Sequence, residues 1–239
     1  MKIDVVSTVE SVDENEIKDK TTIVIDVLRA TSTIVTALSN GSKGVIPIVT
    51  VEEAFDKAQQ LAEGSFLLGG ERKGIKVEGF NLGNSPLEYE KEIVGDKVIL
   101  FSTTNGTRAI RKAEKAKRVF IASFLNISAV AKKAVSCQDD ITIICAGTAG
   151  RFSLDDIGCA GMLVHKIVEE IGVYEISDLA YIAYYLYQQH KNNILDLMKM
   201  ANHYNYLNKI GLQEDIDYCL KTDHFQCVPI WSKGQIILD

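Results

Sequence analysis

The chain has 239 residues, 46% of them hydrophobic, and a formal net charge of −6. This hydrophobic content is ordinary for a packed globular protein and excludes a disordered chain. The negative charge excludes a general attraction to nucleic acid, so no nucleic-acid partner is expected. No apolar run approaches the roughly 18 residues of a membrane span, so no membrane partner is expected either. An anionic ligand would have to be bound by local donors or a metal ion.

The chain contains five cysteines, an odd number without metal-ligand spacing. This pattern is typical of reduced thiols rather than of a disulfide framework or a zinc site. The first residues also lack the basic, apolar and cleavage-site pattern of a signal peptide. Together these observations predict a cytoplasmic protein.

Short strand patterns alternate with helical patterns along most of the chain. Strands are predicted at 2–6, 22–27, 44–49, 65–68, 97–101, 118–122, 141–145 and 228–237. Helices are predicted at 32–38, 51–62, 106–114, 128–136, 154–171 and 213–220. Because the strands are uninterrupted β-branched runs, they indicate an α/β fold with a mostly parallel sheet and helices on both faces.

Two stretches of the chain follow the same order of strand, Thr/Ser-rich loop, helix, strand and helix. They cover residues 19–58 and 95–134 and are compatible with two similar βαβα halves at about 1–94 and 95–239. Any α/β protein gives a similar pattern, and no linker separates the halves, so a single domain is predicted. Residues 175–208 form a helical, tyrosine-rich segment near the C-terminus, which is predicted to be a cap or the contact of a homodimer.

The first chemically rich loop reads DVLRATS and begins with Asp26 at the end of an apolar strand. A carboxylate is costly in such a place unless a cation meets it. Arg29 could be that partner in a purely structural ion pair. The favoured alternative has Asp26 binding Mg²⁺, while Arg29 and the N–H groups near Thr31 and Ser32 hold an oxyanion.

The second loop reads STTNGTR and lies between a buried strand and a helix. One hydroxyl or amide is enough to cap a helix, so capping does not explain the whole run. The density of polar groups favours an anion site, because helix N-termini present unpaired N–H donors. The candidate binding residues are Thr103, Thr104, Asn105, Gly106 and Thr107.

The third loop reads CAGTAGRFSLDD and permits two readings of its first residue. Cys145 and Arg151 have the C-x₅-R spacing of cysteine phosphatases, in which a thiolate of lowered pKa attacks phosphorus. However, Ile144 replaces the histidine that usually precedes this cysteine. Because Cys145 also ends an apolar run, a buried structural thiol is favoured.

Further carboxylates could complete a metal site. Glu71 follows paired glycines in a strand end that reads GGER, where Arg72 could also meet an anion. Asp156 opens the helix after the third loop, where carboxylates either favour the helix electrostatically or bind a metal. Mg²⁺ needs only one or two protein carboxylates. All four histidines lie outside these loops, so histidine chemistry is not expected.

Taken together and in order, these motifs resemble the 2-phosphosulfolactate phosphatase family. The matching stretches spread from residue 26 to residue 229 and include Asp26–Ser32, Gly70–Arg72, Gly83–Pro86, Thr104–Thr107, Cys145–Gly147, Gly150–Phe152, Cys159–Gly161 and Asp215–Ile216. The resemblance implies a Mg²⁺-dependent phosphatase that converts 2-phospho-3-sulfolactate to 3-sulfolactate and phosphate, a step of coenzyme M synthesis. It also implies that the partner is a small phosphorylated substrate.

The residues and the resemblance together give a candidate site. Asp26 and Cys145 are the catalytic candidates, and the metal candidates are Asp26, Glu71 and Asp156. The substrate-binding candidates are Arg29, Thr31, Ser32, Arg72, Thr103, Thr104, Asn105, Gly106, Thr107, Gly147 and Arg151, with Arg108 as a further cation. Attack by water, by Asp26 or by Cys145 remains open. So do a different 2-phosphohydroxy acid as substrate and a non-catalytic binder of phosphorylated or sulfonated acids.

Overall fold

A computed structural model of the protein describes residues 1–172 and 175–239. Its strands form one sheet. They are β1 (Lys2–Val6), β2 (Thr21–Ile25), β3 (Gly44–Pro47), β4 (Phe66–Arg72), β5 (Ile75–Lys76), β6 (Val98–Ser102), β7 (Arg118–Ala122), β8 (Ile141–Cys145), β9 (Glu175–Ile176), β10 (Pro229–Ser232) and β11 (Gln235–Leu238). Their order is β5-β4-β6-β3-β11-β10-β7-β2-β8-β1-β9.

Helices cover the faces of this sheet. They are α1 (Glu14–Ile17), α2 (Ala30–Ser39), α3 (Val51–Ala58), α4 (Lys91–Val94), α5 (Gly106–Ala113), α6 (Ile127–Ser136), α7 (Leu154–Ile171), α8 (Asp178–His190), α9 (Ile194–Met198), α10 (Asn202–Lys209) and α11 (Gln213–Cys219). Within the described residues, no helix has the length and apolar character needed to cross a membrane.

The sheet consists of two parallel groups of strands joined by a hairpin. In one group β2 pairs in parallel with β7 and β8, and in the other β6 pairs in parallel with β3 and β4. The hairpin of β10 and β11 is antiparallel to β7 and to β3. The predicted α/β class with a mostly parallel sheet is therefore confirmed.

The hairpin corrects the prediction of one strand at 228–237. The chain reverses at Lys233 and Gly234, which have φ angles of 49° and 89°. Two consecutive residues of positive φ form the tight turn that matches the twist of an antiparallel pair. A run that looks like one strand is therefore two.

Side chains alternate between the two faces of β2, and the two faces pack against different helices. Ile23 and Ile25 join a core with α6 and α7, whereas Val24 joins a second core with α2 and α5. This second core also contains Val45 of β3 and Ile99 of β6. Helices α2 and α5 therefore pack against both groups of strands, which brings their first turns together.

Gly106 allows that close approach. A Cβ atom at this position would lie 2.6 Å from the Cβ of Ala30 and 2.6 Å from Oδ2 of Asp26, so any side chain would collide. The start of α5 is consequently set directly against the start of α2 and against Asp26. This contact places the two polar loops of the sequence in one site.

The proposed halves at about 1–94 and 95–239 share their strands rather than forming separate sheets. Strand β2 of the first pairs with β7 and β8 of the second, and β6 of the second pairs with β3 and β4 of the first. The single domain and the duplication both stay predictions. The tyrosines of 175–208 lie on α8 and α10, with Tyr181 and Tyr185 exposed on α8, and Tyr174 lies outside the described residues. The homodimer stays a prediction.

Candidate active site

A cavity of about 870 Å³ opens where the loops after β2, β6 and β8 meet the β4–β5 turn and α10. Six of the predicted site residues line it: Asp26, Arg29, Glu71, Thr104, Asn105 and Arg151. The structure thus brings together residues that are up to 125 positions apart in the chain. It also brings in residues that the sequence analysis left out.

Asp26 and Glu71 form an acidic floor in this cavity. Asp26 is half-buried and lines the cavity, and Glu71 is 7% exposed. Burial, followed by the negative charges of Glu71 and Asp155, raises the pKa of Asp26 to about 7. The N–H of Ala30 and the charge of Arg29 oppose this rise only in part. The acidic floor therefore lacks a sufficient counter-charge from the protein.

The Glu71 carboxylate is held in a fixed orientation. Its Oε1 accepts a hydrogen bond from the N–H of Thr104 at 2.8 Å, and its Oε2 accepts one from the N–H of Gly74 at 2.7 Å. Each oxygen keeps lone-pair capacity, because a carboxylate oxygen can accept more than one contact. Glu71 thereby joins the start of α5 to the β4–β5 turn.

The oxygens of the acidic floor fit a magnesium ion. Mg²⁺ prefers hard oxygen ligands and commonly takes one or two carboxylates, with water and phosphate oxygens completing its shell. Within residues 1–172 and 175–239, no three His, Cys, Asp or Glu side chains form a ready-made metal cage. Asp26 and Glu71 alone satisfy what Mg²⁺ requires of a protein.

Asp156, the third metal candidate, lies behind the cavity wall and is buried. Its Oδ1 accepts the N–H of Val27 at 2.9 Å, and its Oδ2 accepts the N–H of Gly147 at 3.0 Å. Burial, followed by the charges of Asp155 and Asp26, raises its pKa well above the ordinary value. Its metal role stays a prediction, and the structure shows that it ties the β2–α2 loop to the β8–α7 loop.

Arg29 pairs with a carboxylate that the loop motif does not contain. Its guanidinium forms an ion pair with Asp215 of α11, and the two residues are 3% and 4% exposed. It also donates to the carbonyl of Gly74 at 3.0 Å, while Ser85 donates to Asp215 at 2.6 Å. The alternative of a structural Asp26–Arg29 pair is therefore wrong.

Many hydroxyls of the predicted anion loops bind the backbone instead of facing the cavity. Thr31 donates to the carbonyl of Asp26 at 2.9 Å, and Ser32 donates to that of Val27 at 2.8 Å. Thr103 and Thr107 each accept the other's N–H, at 3.2 and 3.3 Å. All four are buried, so their hydroxyls hold the loops in shape. Their contacts with substrate stay predictions, as do those of Gly106 and Gly147.

Cys145 is buried at the end of β8 and does not line the cavity. Burial raises the pKa of its thiol well above the ordinary value, and Asp156, Cys159 and Asp155 raise it further. A nucleophilic cysteine needs the opposite shift. The structure thus favours the structural thiol over the thiolate route.

Two of the candidate cations, Arg72 and Arg108, form their contacts outside the cavity. The guanidinium of Arg72 donates to the carbonyls of Glu71 and Ser102, at 2.7 and 3.1 Å. Arg108 forms an ion pair with Glu10 at 3.0 Å. Neither lines the cavity, whereas Arg151 does.

Several cavity residues are not among the candidates that the sequence indicates. Helix α10 supplies His203, whose Nε2 donates to the carbonyl of Leu28 at 2.7 Å. His203 lies outside the polar loops, as the sequence shows, and the absence of histidine chemistry stays a prediction. Asn84 is 6% exposed, and its side-chain oxygen has no hydrogen-bond partner among the described residues. Asn84 belongs to a quoted motif and was therefore findable. Lys73 and Tyr206 carry no comparable signal.

This arrangement defines the class of protein: an α/β enzyme whose acidic, loop-built cavity is suited to a phosphorylated ligand and a metal ion. The family described as 2-phosphosulpholactate phosphatase matches residues 6–234. A "Probable 2-phosphosulfolactate phosphatase" of Clostridium beijerinckii is 45% identical over 236 residues, covering 99% of each chain. A protein of the same name from Caldanaerobacter subterraneus subsp. tengcongensis is 45% identical over 227 residues, covering 95% of this chain and 94% of its own. The chain therefore belongs to the 2-phosphosulpholactate phosphatase family, whose members are phosphoric monoester hydrolases.

Proposed function

We propose that the protein is a Mg²⁺-dependent phosphatase that hydrolyses 2-phospho-3-sulfolactate to 3-sulfolactate and phosphate. Family membership and the names of relatives with 45% identity support the reaction and the substrate. The main observation in support of a metal ion is the acidic floor of Asp26 and Glu71. The protein does not supply enough positive charge to offset its negative charge. A phosphate ester would be repelled from this floor unless a cation bound there first.

Asp26 and Glu71 are the residues that would hold the ion. Bound there, Mg²⁺ would offset charge on the phosphoryl oxygens and so lower the barrier to attack at phosphorus. Asp156 supports the site from behind, because its hydrogen bonds to Val27 and Gly147 set the positions of two cavity loops. The donors are hard oxygens, which suits Mg²⁺ better than a soft metal ion.

The chain's own residues then orient the ester. Thr104 and Asn105 line the cavity at the start of α5, where side-chain donors and helix N–H groups favour phosphoryl oxygens. The oxygen of a water molecule attacks phosphorus, and the bond from phosphorus to the C2 oxygen of the substrate breaks. The attacking water gives up one proton, and the departing oxygen takes up one in exchange, which gives the hydroxyl of 3-sulfolactate and hydrogen phosphate. Burial of the Cys145 thiol supports water rather than sulfur as the nucleophile.

Phosphate release from a set of 2-phosphohydroxy acids tests this proposal. The set contains 2-phospho-3-sulfolactate, 2-phospholactate and 2-phosphoglycerate, each with Mg²⁺ and after EDTA treatment. We expect fastest release from the sulfolactate ester and loss of activity in EDTA that added Mg²⁺ restores. Full activity in EDTA would refute the requirement for a metal ion. Faster phosphate release from another ester would show that this other ester is the preferred substrate. No release from any ester would favour a non-catalytic binder.

We also propose that the protein acts in the cytoplasm as a homodimer. Cysteines without a disulfide support the location. Exposure of Tyr181, Ile182 and Tyr185 on α8 supports the contact between copies, because clustered large apolar side chains favour association. Light scattering after size exclusion should give twice the chain mass, and a monomer mass would reject the dimer.

A further inference from the structure

Three fixed cations line the cavity, and they differ in how they are compensated. Arg29 is neutralised by its buried ion pair with Asp215. Lys73 and Arg151 also line the cavity, and in the part of the chain that the structure describes neither forms an ion pair. Both are exposed side chains at the wall. Lys73 and Arg151 are thus the uncompensated positive charges that a bound anion would meet.

Lys73 occupies an unusual backbone conformation. It has a φ angle of 52° and precedes Gly74, whose φ is 75°, in the two-residue turn between β4 and β5. Asn, Asp and Gly are the residues that such turns favour, and other side chains adopt positive φ less readily. The turn fixes the position of the Lys73 backbone beside the cavity.

The same turn is fixed to the rest of the site by three hydrogen bonds. The N–H of Gly74 donates to Glu71 at 2.7 Å, and its carbonyl accepts from Arg29 at 3.0 Å. The carbonyl of Lys73 accepts from the hydroxyl of Tyr206 on α10 at 2.9 Å. These contacts connect the turn that carries Lys73 both to the acidic floor and to α10.

The cavity has room and unused polar capacity for more than a phosphate group. Its volume is about 870 Å³, and the buried side-chain oxygen of Asn84 in its wall has no partner among the described residues. The floor is acidic, whereas the wall holds the two uncompensated cations. A ligand with a phosphate at one end and another anion at the other would complement both.

We propose that Lys73 and Arg151 form a second anion subsite that binds the sulfonate of the substrate, with Lys73 as a specificity-determining residue. The inference rests on the proposed function, because the sulfonate is the group that distinguishes 2-phospho-3-sulfolactate from 2-phospholactate. Lys73 and Arg151 attract the sulfonate in the ground state and in the transition state alike. Their removal should therefore raise KM and leave kcat nearly unchanged.

The test compares Lys73→Asn with Lys233→Asn on these two esters. Asparagine keeps the positive-φ turn and removes the charge. Lys233 is a matched control, because it is an exposed lysine with φ 49° that precedes a glycine in the β10–β11 turn, outside the cavity. For Lys73→Asn we expect KM for the sulfolactate ester to rise about tenfold and KM for 2-phospholactate to change less than about twofold. Arg151→Gln should follow the same pattern, and Lys233→Asn should leave both KM values unchanged.

Equal effects of Lys73→Asn on the two esters would overturn the subsite. Calorimetric binding of 3-sulfolactate and of lactate separates this outcome from failure of the phosphatase proposal, since it needs no turnover. Binding of 3-sulfolactate that weakens in Lys73→Asn supports the subsite even if no ester is hydrolysed. Binding of 3-sulfolactate that is as tight in Lys73→Asn as in Lys233→Asn rejects it.

Discussion

Two pairs of charged side chains of low exposure lie at or near the cavity, and the protein compensates their charges to different extents. Arg29 and Asp215 form a closed pair, in which each charge is matched inside the protein and Ser85 adds a hydrogen bond. Asp26 and Glu71 form an open pair of like charges, and their repulsion adds to burial in raising the pKa of Asp26 to about 7. The first set is compensated as folded, whereas the second keeps negative charge that the protein does not fully offset.

The difference shows which buried charges point to a ligand. A buried ion pair needs no ligand, because each charge compensates the other inside the protein. Buried like charges disfavour folding and persist where a site needs them. In the sequence Arg29 lies three residues after Asp26, which suggests a pair between these two. Only the fold shows that Arg29 pairs with Asp215 instead.

Replacing the central charge of the open pair should have the largest effect. In Asp26→Asn we expect phosphatase activity to fall by about 10³-fold or more, because the carboxylate that we propose as a metal ligand is lost. The stabilisation of the wild type by Mg²⁺, measured as a shift in thermal midpoint, should disappear as well. Asp56→Asn, a change of an exposed aspartate on α3, is the control. A Mg²⁺ shift that survives in Asp26→Asn would remove Asp26 from the metal site.

Opening the closed pair should mainly reduce stability. In Asp215→Asn the buried guanidinium of Arg29 loses its counter-charge, which should lower the free energy of unfolding by about 3–5 kcal/mol. Urea denaturation of metal-free protein measures this change. Asp217→Asn on the same helix is the matched control, because Asp217 is exposed, and it should change stability by less than about 0.5 kcal/mol. Equal losses in the two variants would mean that the closed pair does not stabilise the fold.

The pH dependence of stability should distinguish the open pair from the closed one. The pKa of Asp26 is about 7 in the folded protein and 3.8 for an ordinary aspartate, so the folded state binds the proton more tightly. Its contribution to stability is therefore present below about pH 4 and is lost as the pH rises to about 7, by up to about 4 kcal/mol. The measurement is urea denaturation in EDTA from pH 4 to 8, taken as the difference between wild type and Asp26→Asn. A difference that is constant with pH would contradict the raised pKa.

Local patterns predict most of the fold. The strands at 118–122 and 141–145 have the predicted bounds because they are unbroken β-branched or aromatic runs that the sheet buries. The single strand predicted at 228–237 is wrong because its apolar pattern continues on both sides of the Lys233–Gly234 turn. Periodicity does not detect a turn of two residues.

The site was predictable only where the residue type itself carries the information. Asp26 and Glu71 stand out because carboxylates at strand ends are costly without a partner. By contrast, Thr103 and Thr104 are adjacent and chemically alike, yet only Thr104 lines the cavity. His203 reaches the site through its contact with Leu28, 175 positions away in the chain, and no local pattern predicts such a contact.

The smallest effect is expected at Cys145, a neutral buried group next to the open charges. Cys145→Ser should keep activity with 2-phospho-3-sulfolactate within about threefold, because the thiol is buried, its pKa is raised and it does not line the cavity. The buried hydroxyl should lower stability by about 1–3 kcal/mol. Cys159→Ser is the matched control, because Cys159 is equally buried and its pKa is also raised, while it lacks the C-x₅-R spacing. Loss of more than about 10²-fold in activity in folded Cys145→Ser, but not in Cys159→Ser, would restore the thiolate as the nucleophile. Retained activity in both variants would agree with the proposed attack by water at the acidic floor.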